Sequence, residues 1–205
     1  MTVAGQNESE LIRRARAGDT RAYCDLVREH QAHAYRLARY IGGASDAEEV
    51  TQLAFIKAYD ALGRFELGRP FRPWLLQIVV NEAKSARRRE SRLRNPPAEA
   101  FSLASAASSD VPYDEALRAS EREELIAAIG RLSPKHREVV ICRYLLELSE
   151  EETARTLGLP LGTVKSRLSR GLERLEDDLR SSAAPSETTA PARSPASSRT
   201  YLPFG

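Results

Sequence analysis

The chain lacks the features that would place it in a membrane or outside the cell. No apolar run approaches the roughly 18 residues that a membrane-spanning helix needs. The first ten residues are polar and acidic, without the basic start and apolar centre of a signal peptide. We therefore expect a cytoplasmic protein that does not insert into a membrane.

Residues that form disulfides, hold metals or carry catalysis are also scarce. The two cysteines, Cys24 and Cys142, both fall within helical patterns, so we expect buried, reduced thiols. His30 and His33 lie one helical turn apart, but no carboxylate or cysteine in the local sequence completes a facial set of metal ligands. Glycine-rich phosphate loops and Ser/His/Asp patterns are absent. The expectation is a protein without enzymatic activity, metal or cofactor.

What the sequence does contain is helical periodicity along most of its length. Apolar residues recur at helical spacing, and no sustained strand-like alternation is present. The composition shifts after Ser91 to alanine, serine and proline, and does so again near the C-terminus, which is typical of segments that bury too little to fold. The predicted fold is all-α, with two small helical domains. Their bounds are 8–92 and 118–180, with a flexible linker at 93–117 and a disordered tail at 181–205.

Several helix starts are marked by a short polar residue with a glutamate three positions later, the pattern of a capping box. The predicted pairs are Asp46 with Glu49, Ser120 with Glu123, and Ser149 with Glu152. Single caps are predicted at Asp19 and at Ser133, and a helix is predicted from about Pro73 to Arg89.

The strongest local signal is a helix-turn-helix pattern between Leu148 and Leu175. Ala154 is small enough for a close helix crossing, Gly158 permits a left-handed turn, and Val164 anchors the second helix. If Val164 is buried, the opposite face of this helix carries short hydroxyls and basic side chains that can enter a major groove. The candidate DNA-binding residues are Thr163, Lys165, Ser166, Arg167, Ser169 and Arg170.

A second basic helix precedes the predicted linker. The formal net charge is only +2, but nine basic and three acidic residues fall between Arg64 and Arg94. One face of the helix from about residue 73 is apolar, whereas its opposite face presents two amide side chains and two basic side chains. The amides suit the edges of nucleobases, and the basic side chains suit phosphates. These residues are Gln77, Asn81, Lys84 and Arg88. The pattern alone leaves open a merely solvated basic face.

At this point the chain resembles the extracytoplasmic-function group of the sigma-70 family. Region 2 of that family is similar to Asp46-Ala-Glu-Glu-Val-Thr-Gln-Leu-Ala-Phe55, Phe71-Arg-Pro-Trp-Leu75 and Asn81. Region 4 is similar to Leu132-Ser-Pro-Lys-His-Arg-Glu-Val139, Leu157-Gly158 and Gly162-Thr-Val-Lys-Ser-Arg-Leu168. The chain departs from the pattern at Leu53, where an acidic residue is usual, and at Thr153, where the β-branch is kept but polarity rises.

The resemblance implies a sigma factor that binds core RNA polymerase and promoter DNA, with an anti-sigma factor as a further candidate partner. It implies contact with the β′ clamp coiled coil through Asp46, Glu49, Val50, Gln52, Phe55 and Ile56. It implies −10 element contacts through Arg64, Gln77, Asn81, Lys84 and Arg88, with a flipped base captured in the loop 64–69. Region 4 would place the helix from Gly162 in the −35 major groove and bind the β flap.

Two other protein classes compete with this interpretation. A conventional helix-turn-helix regulator would read DNA without core polymerase, but it would carry a sensor or receiver domain in place of the helix bearing Trp74 and Asn81. An adaptor that does not read promoters would need no basic stripe on that helix. The two basic helices therefore favour the sigma factor.

Overall fold

The computed structural model describes residues 3–42, 46–93 and 113–183, and all elements in these ranges are helical. The helices are α1 (Val3–Arg16), α2 (Thr20–Gly42), α3 (Ala47–Ala61), α4 (Phe71–Leu93), α5 (Tyr113–Arg131), α6 (Pro134–Val140), α7 (Glu150–Leu157) and α8 (Leu161–Ala183). A short 3-10 turn follows α3 at Leu62–Arg64, and a π-helical turn follows α6 at Ile141–Leu145. The all-α prediction is confirmed.

The first four helices form a bundle around Phe71. This ring is fully buried, and its centroid lies 5.3 Å from that of His30, 5.6 Å from Phe65 and 5.3 Å from Trp74. Glu8 ties α1 to this centre, since one carboxylate oxygen lies 3.2 Å from His30 Nε2 and the other accepts from the Phe71 N–H at 3.4 Å. The carboxylate thus lies at the start of α4, where the helix dipole favours negative charge.

The C-terminal helices pack around the contact between α6 and α8. Val164, Leu168 and Leu175 are buried on α8. Gly171 lies on the same face, and a Cβ built there would lie only 3.1 Å from Val140 Cγ2. The glycine therefore lets the two helices approach more closely than any larger residue would allow.

The two helical groups also pack directly against each other. The Thr156 hydroxyl on α7 donates to the Pro73 carbonyl on α4 at 3.5 Å, and the Arg72 guanidinium donates to the Leu146 carbonyl. Both Thr156 and Leu146 are buried, and one continuous apolar core runs through both groups. The prediction of two helical units is confirmed, and the structure adds that they are closed on one another.

Four helix boundaries differ from the predictions. α4 begins at Phe71, two residues before the predicted start, and ends at Leu93, four residues after the predicted end, while α8 continues to Ala183. α5 begins at Tyr113, inside the predicted linker, so Ser120 lies within a helix rather than at its start. The preceding residues are good helix formers, which explains the longer helix. The rest of the predicted linker, 94–112, and of the tail, 184–205, lie outside the described residues.

Some of the predicted capping side chains form hydrogen bonds with the backbone, and others do not. The Ser149 hydroxyl accepts from the Glu152 N–H at 3.1 Å and the Glu152 carboxylate accepts from the Ser149 N–H at 2.8 Å, which confirms that capping box. The Asp19 carboxylate accepts hydrogen bonds from the backbone N–H groups of Arg21 and Ala22, in the first turn of α2.

Asp46 and Ser133 occupy N-cap positions, but neither side chain makes a cap hydrogen bond, so those two predictions were wrong. Asp46 has φ −109° and ψ 5°, which is far from the extended conformation that a capping side chain needs. The Ser133 hydroxyl lies instead 3.2 Å from His136 Nδ1.

The two cysteines have different environments. Cys142 is fully buried, and burial raises the pKa of its thiol to about 12. Cys24 is exposed, contrary to the expectation of two buried thiols. Ala22 and Leu26 face the core, and a residue midway between them points to the opposite side of the helix.

Ser149→Ala should destabilise the C-terminal helices by about 1 kcal/mol, because it removes one half of the capping box. Urea unfolding followed by circular dichroism measures the loss. Ser181→Ala is the matched control, since that exposed hydroxyl bonds only to the Asp177 carbonyl near the end of α8. Equal midpoints for the Ser149 variant and the wild type would contradict the prediction.

His136 makes the stability of the C-terminal helices depend on pH. Burial, and then the nearby charges of Arg174 and Lys135, hold the pKa of this imidazole below its usual value. The unfolded chain therefore binds more protons as the pH falls through about 6.5, and the stability present above that pH is lost toward lower pH. Burial also lowers the pKa of His33, so this residue likewise contributes a loss of stability toward lower pH.

We expect urea unfolding at pH 7.5, 6.0 and 5.0 to show this loss, and His136→Gln to reduce its slope without abolishing it. An unchanged slope in a folded His136→Gln protein would show that His136 is not the titrating group.

Candidate nucleic-acid interface

The turn before α8 sets the orientation of its outer face. Gly158 ends α7 in the left-handed conformation, with φ 64° and ψ 39°, as predicted. Val164 is fully buried and fixes α8 against the neighbouring helices, whereas Ala154 is only half-buried. The predicted anchor and the predicted turn glycine are therefore in place.

The side of α8 opposite Val164 is polar and open to solvent. The candidate residues Lys165, Ser166, Ser169 and Arg170 are exposed, and Thr163 and Arg167 are half-buried. The Ser166 hydroxyl donates to the Thr163 carbonyl at 3.1 Å, so it lies close against its own helix. Short side chains held this closely let the helix backbone approach a groove, while Arg170 projects beyond them.

Two acidic residues border this face. Lys165 Nζ lies 3.6 Å from a Glu150 carboxylate oxygen, and the Ser169 hydroxyl donates to the Glu173 carboxylate at 2.9 Å. The lysine is largely exposed, and exposed ion pairs of this kind contribute little, so Lys165 can exchange its partner for a phosphate.

The second candidate face lies on α4, and only part of it is exposed to solvent. Asn81 and Arg88 are exposed, whereas Gln77 and Lys84 are half-buried against the C-terminal helices. Lys84 Nζ lies 2.8 Å from a carboxylate oxygen of Glu138 on α6. The four residues share one helix face as predicted, but half of that face is covered.

Arg64 stands at the end of the 3-10 turn, before the loop that leads into α4, and is exposed. Arg16 on α1 holds this turn in place, because its guanidinium donates to the Leu62 carbonyl at 2.8 Å and also to the Phe65 carbonyl. The loop thus has a fixed base and an exposed basic side chain.

The candidate partner face on α3 is smaller than predicted. Glu49, Gln52 and Ile56 are exposed, with 59% of Ile56 open to solvent, and Asp46 is half-buried. Val50 and Phe55 are 1% and 8% exposed, so they belong to the core beneath this face and not to its surface. The reason is helical spacing, since Val50 shares the inward side with other buried residues of α3.

Two residues of these faces, Tyr59 and Glu138, were not among the predicted site residues. Tyr59 is 44% exposed and extends the apolar part of the α3 face beyond Ile56, with its ring packed edge-on against Tyr23 at 4.8 Å. The three-residue spacing of Ile56 and Tyr59 places both side chains on one face of α3, and the sequence could have indicated this. Glu138, the partner of Lys84, had no such signal, because its role depends on packing between distant parts of the chain.

His30 has more acidic neighbours than the local sequence suggested. Glu8 and Glu29 bring carboxylate oxygens near the imidazole, all within 4.8 Å of one another. Both oxygens of Glu8 are already engaged, by His30 and by the Phe71 N–H, so the cluster has a structural explanation as the tie between α1, α2 and α4.

Within the described ranges, none of the helices combines the length and apolar character needed to cross a bilayer.

Comparisons with known proteins match both halves of the chain. Residues 26–93 match the family described as Sigma-70 region 2, and residues 122–175 match Sigma-70, region 4. The chain is 30% identical over 177 residues to the ECF RNA polymerase sigma factor SigW of Bacillus subtilis, covering 82% of this chain and 95% of that protein. It is 33% identical over 186 residues to the RNA polymerase sigma-H factor of Pseudomonas aeruginosa, covering 85% and 94%.

Solved structures agree with these matches. CnrH in complex with the cytosolic domain of CnrY has a TM-score of 0.62 at 28% identity, covering 85% of this chain and 98% of that one. The sigma factor RpoE of Bartonella quintana, in complex with the anti-sigma factor NepR, has a TM-score of 0.61 at 25% identity, covering 77% and 96%. The chain therefore belongs to the extracytoplasmic-function sigma factors of the sigma-70 family, which direct RNA polymerase to promoters and initiate transcription.

Proposed function

We propose that α8 reads the −35 element and that α4, with the loop before it, reads and opens the −10 element. The observation that carries this proposal is the presence of two separate polar and basic helix faces, one in each matched region. On α8 the face is centred on Ser166 and Arg170, and on α4 it contains Asn81 and Arg88. A protein that recognises only one promoter element would need only one such face.

Strand opening at the −10 element needs no nucleotide hydrolysis in this mechanism. Unstacking a base costs a few kcal/mol, which is offset when a protein pocket captures the flipped base. The loop between Arg64 and Arg69 is the proposed pocket, and Arg16 gives it a rigid base. Basic side chains on α4 then hold the displaced strand through its phosphates.

We propose that the exposed face of α3 contacts the β′ clamp coiled coil of core polymerase, and that region 4 also contacts the β flap. Glu49, Gln52, Ile56 and Tyr59 form the α3 face, an apolar centre with a polar border, as in protein interfaces. Asp46 lies at its edge. Leu53, where the family pattern has an acidic residue, is half-buried and makes this centre more apolar.

The remaining assignments follow from this role. We propose that the protein acts in the cytoplasm on promoter DNA, makes and breaks no covalent bonds itself, and needs no cofactor. The solved relatives CnrH and RpoE were captured with the cytosolic domain of CnrY and with NepR. By analogy, an anti-sigma factor is a proposed partner of this chain.

Arg170→Ala should weaken use of promoters that contain the upstream element by about 1–3 kcal/mol, because it removes a base-edge or phosphate contact. Abortive transcription with core polymerase measures this on matched templates with and without that element. Arg180→Ala is the control, an exposed arginine farther along α8 whose guanidinium is paired with Glu176. Equal losses on both templates would reject base reading by Arg170.

Asn81→Ala should impair promoter opening more than closed-complex binding, since the amide is placed to contact an unpaired base. Permanganate reactivity of the −10 thymines measures opening, and filter binding at low temperature measures the closed complex. Gln31→Ala, which removes an exposed amide from α2, is the control. Wild-type thymine reactivity in the Asn81 variant would contradict the assignment.

A further inference from the structure

His136 is a buried histidine where α6 crosses α8, and its imidazole is hydrogen-bonded to an arginine on the surface of α8. Only 2% of His136 is open to solvent. Gly171 packs against it, since a Cβ built on that glycine would lie 3.5 Å from His136 Cβ. Three residues further along α8, Arg174 is exposed and its Nη1 lies 3.0 Å from His136 Nδ1. The close packing of the two helices therefore brings a ring nitrogen up to a surface arginine.

The chemistry of the two groups fixes the direction of this hydrogen bond. A guanidinium carries donors only and keeps its charge, so Nδ1 accepts and the proton of the neutral imidazole lies on Nε2. Burial, and then the charge of Arg174, hold the pKa of His136 below its usual value, which favours the neutral form. The Ser133 hydroxyl lies 3.2 Å from the same nitrogen. His136 is thus a buried acceptor that holds the Arg174 guanidinium in place.

Arg174 belongs to a row of basic side chains along one edge of the proposed −35 reading face. At about 100° per residue, Arg167 and Arg174 lie roughly 20° apart around α8, on the border between its buried side and its outer side. Arg170 lies between them along the helix and nearer to the outer side. Lys135 on α6 completes the row, since the charges of all four side chains act on the His136 ring.

Carboxylates near this row have other partners. Glu173 accepts from the Ser169 hydroxyl at 2.9 Å, and Asp178 pairs with Arg131 on α5. Like charges that share one edge repel one another, and a bound anion relieves this repulsion. When a helix enters a major groove, the phosphates of the bordering strands lie along its edges. The charge and the place of the row therefore suit DNA phosphates.

We propose that Arg174 contacts a DNA phosphate beside the −35 groove and that His136 is the residue that positions it. One N–H of the guanidinium donates to Nδ1, and the others stay available for phosphate oxygens. Holding a long side chain in place before binding reduces the conformational entropy that binding costs. This inference rests on the proposed function, because it requires α8 to lie in the −35 major groove. Arg174 reads no base in this role, in contrast to the role proposed for Arg170.

Replacing single phosphates tests the contact. Holoenzyme formed from the full chain and core polymerase is titrated against promoter duplexes in which one phosphate at a time, across the −35 element, is an uncharged methylphosphonate. Several replacements should weaken wild-type binding several-fold. Arg174→Ala should bind the unmodified duplex more weakly, lose the sensitivity at one of these positions only, and reduce the slope of log affinity against log salt by about one. Arg180→Ala, the control on the same helix, should keep the wild-type pattern.

The same scan tests the positioning role. His136→Phe keeps an aromatic ring but has no acceptor, so it should lose the sensitivity at the position that Arg174→Ala identifies. His136→Asn, whose amide oxygen can take the place of Nδ1, should retain it. Adding Arg174→Ala to His136→Phe should cause no further loss, because both changes remove one contact. Circular dichroism confirms that each variant is folded, and His136→Leu replaces His136→Phe if the latter is not.

The outcomes separate the three claims. An Arg174→Ala pattern identical to that of the wild type overturns the phosphate contact. Sensitivity that is lost in Arg174→Ala but kept in His136→Phe overturns the positioning role. A wild-type holoenzyme that is indifferent to every replacement across the −35 element would instead contradict the proposed function.

Discussion

The first half of α4 is packed on two sides, and the rest of the structure depends on this constraint. One side supplies Phe71, Leu75 and Val79 to the core of the N-terminal bundle. The other side meets α7 through Pro73 and Gln77. A helix packed on two faces keeps only a narrow stripe for other partners. The position of region 4 therefore decides how much of the proposed −10 surface is available.

The forces across this contact differ along its length. Around Thr156 and Leu146 the contact is buried and continuous with the apolar core. At Lys84 and Glu138 it is a partly exposed ion pair, of a kind that contributes about 1 kcal/mol or less and weakens with salt.

Local structure was largely predictable because it depends on neighbouring residues. Helical periodicity placed Val164 in the core, and the Ser149–Glu152 pair predicted a capping box with the observed bonds. The resemblance named Val50 as a partner contact, but a family pattern does not say which side of a helix a residue faces. The role of Glu138 could not be predicted from the sequence, since its pairing with Lys84 joins positions 54 apart in sequence.

We propose that this chain gives core RNA polymerase its promoter specificity through two separate DNA-reading helices. The most direct measurement is transcription in vitro with purified bacterial core polymerase, with the protein added or omitted, on a pool of genomic promoter fragments. We expect new, discrete start sites that share two elements, about 35 and 10 base pairs upstream. Stable DNA binding by the protein alone, with no change in transcription by core polymerase, would contradict it.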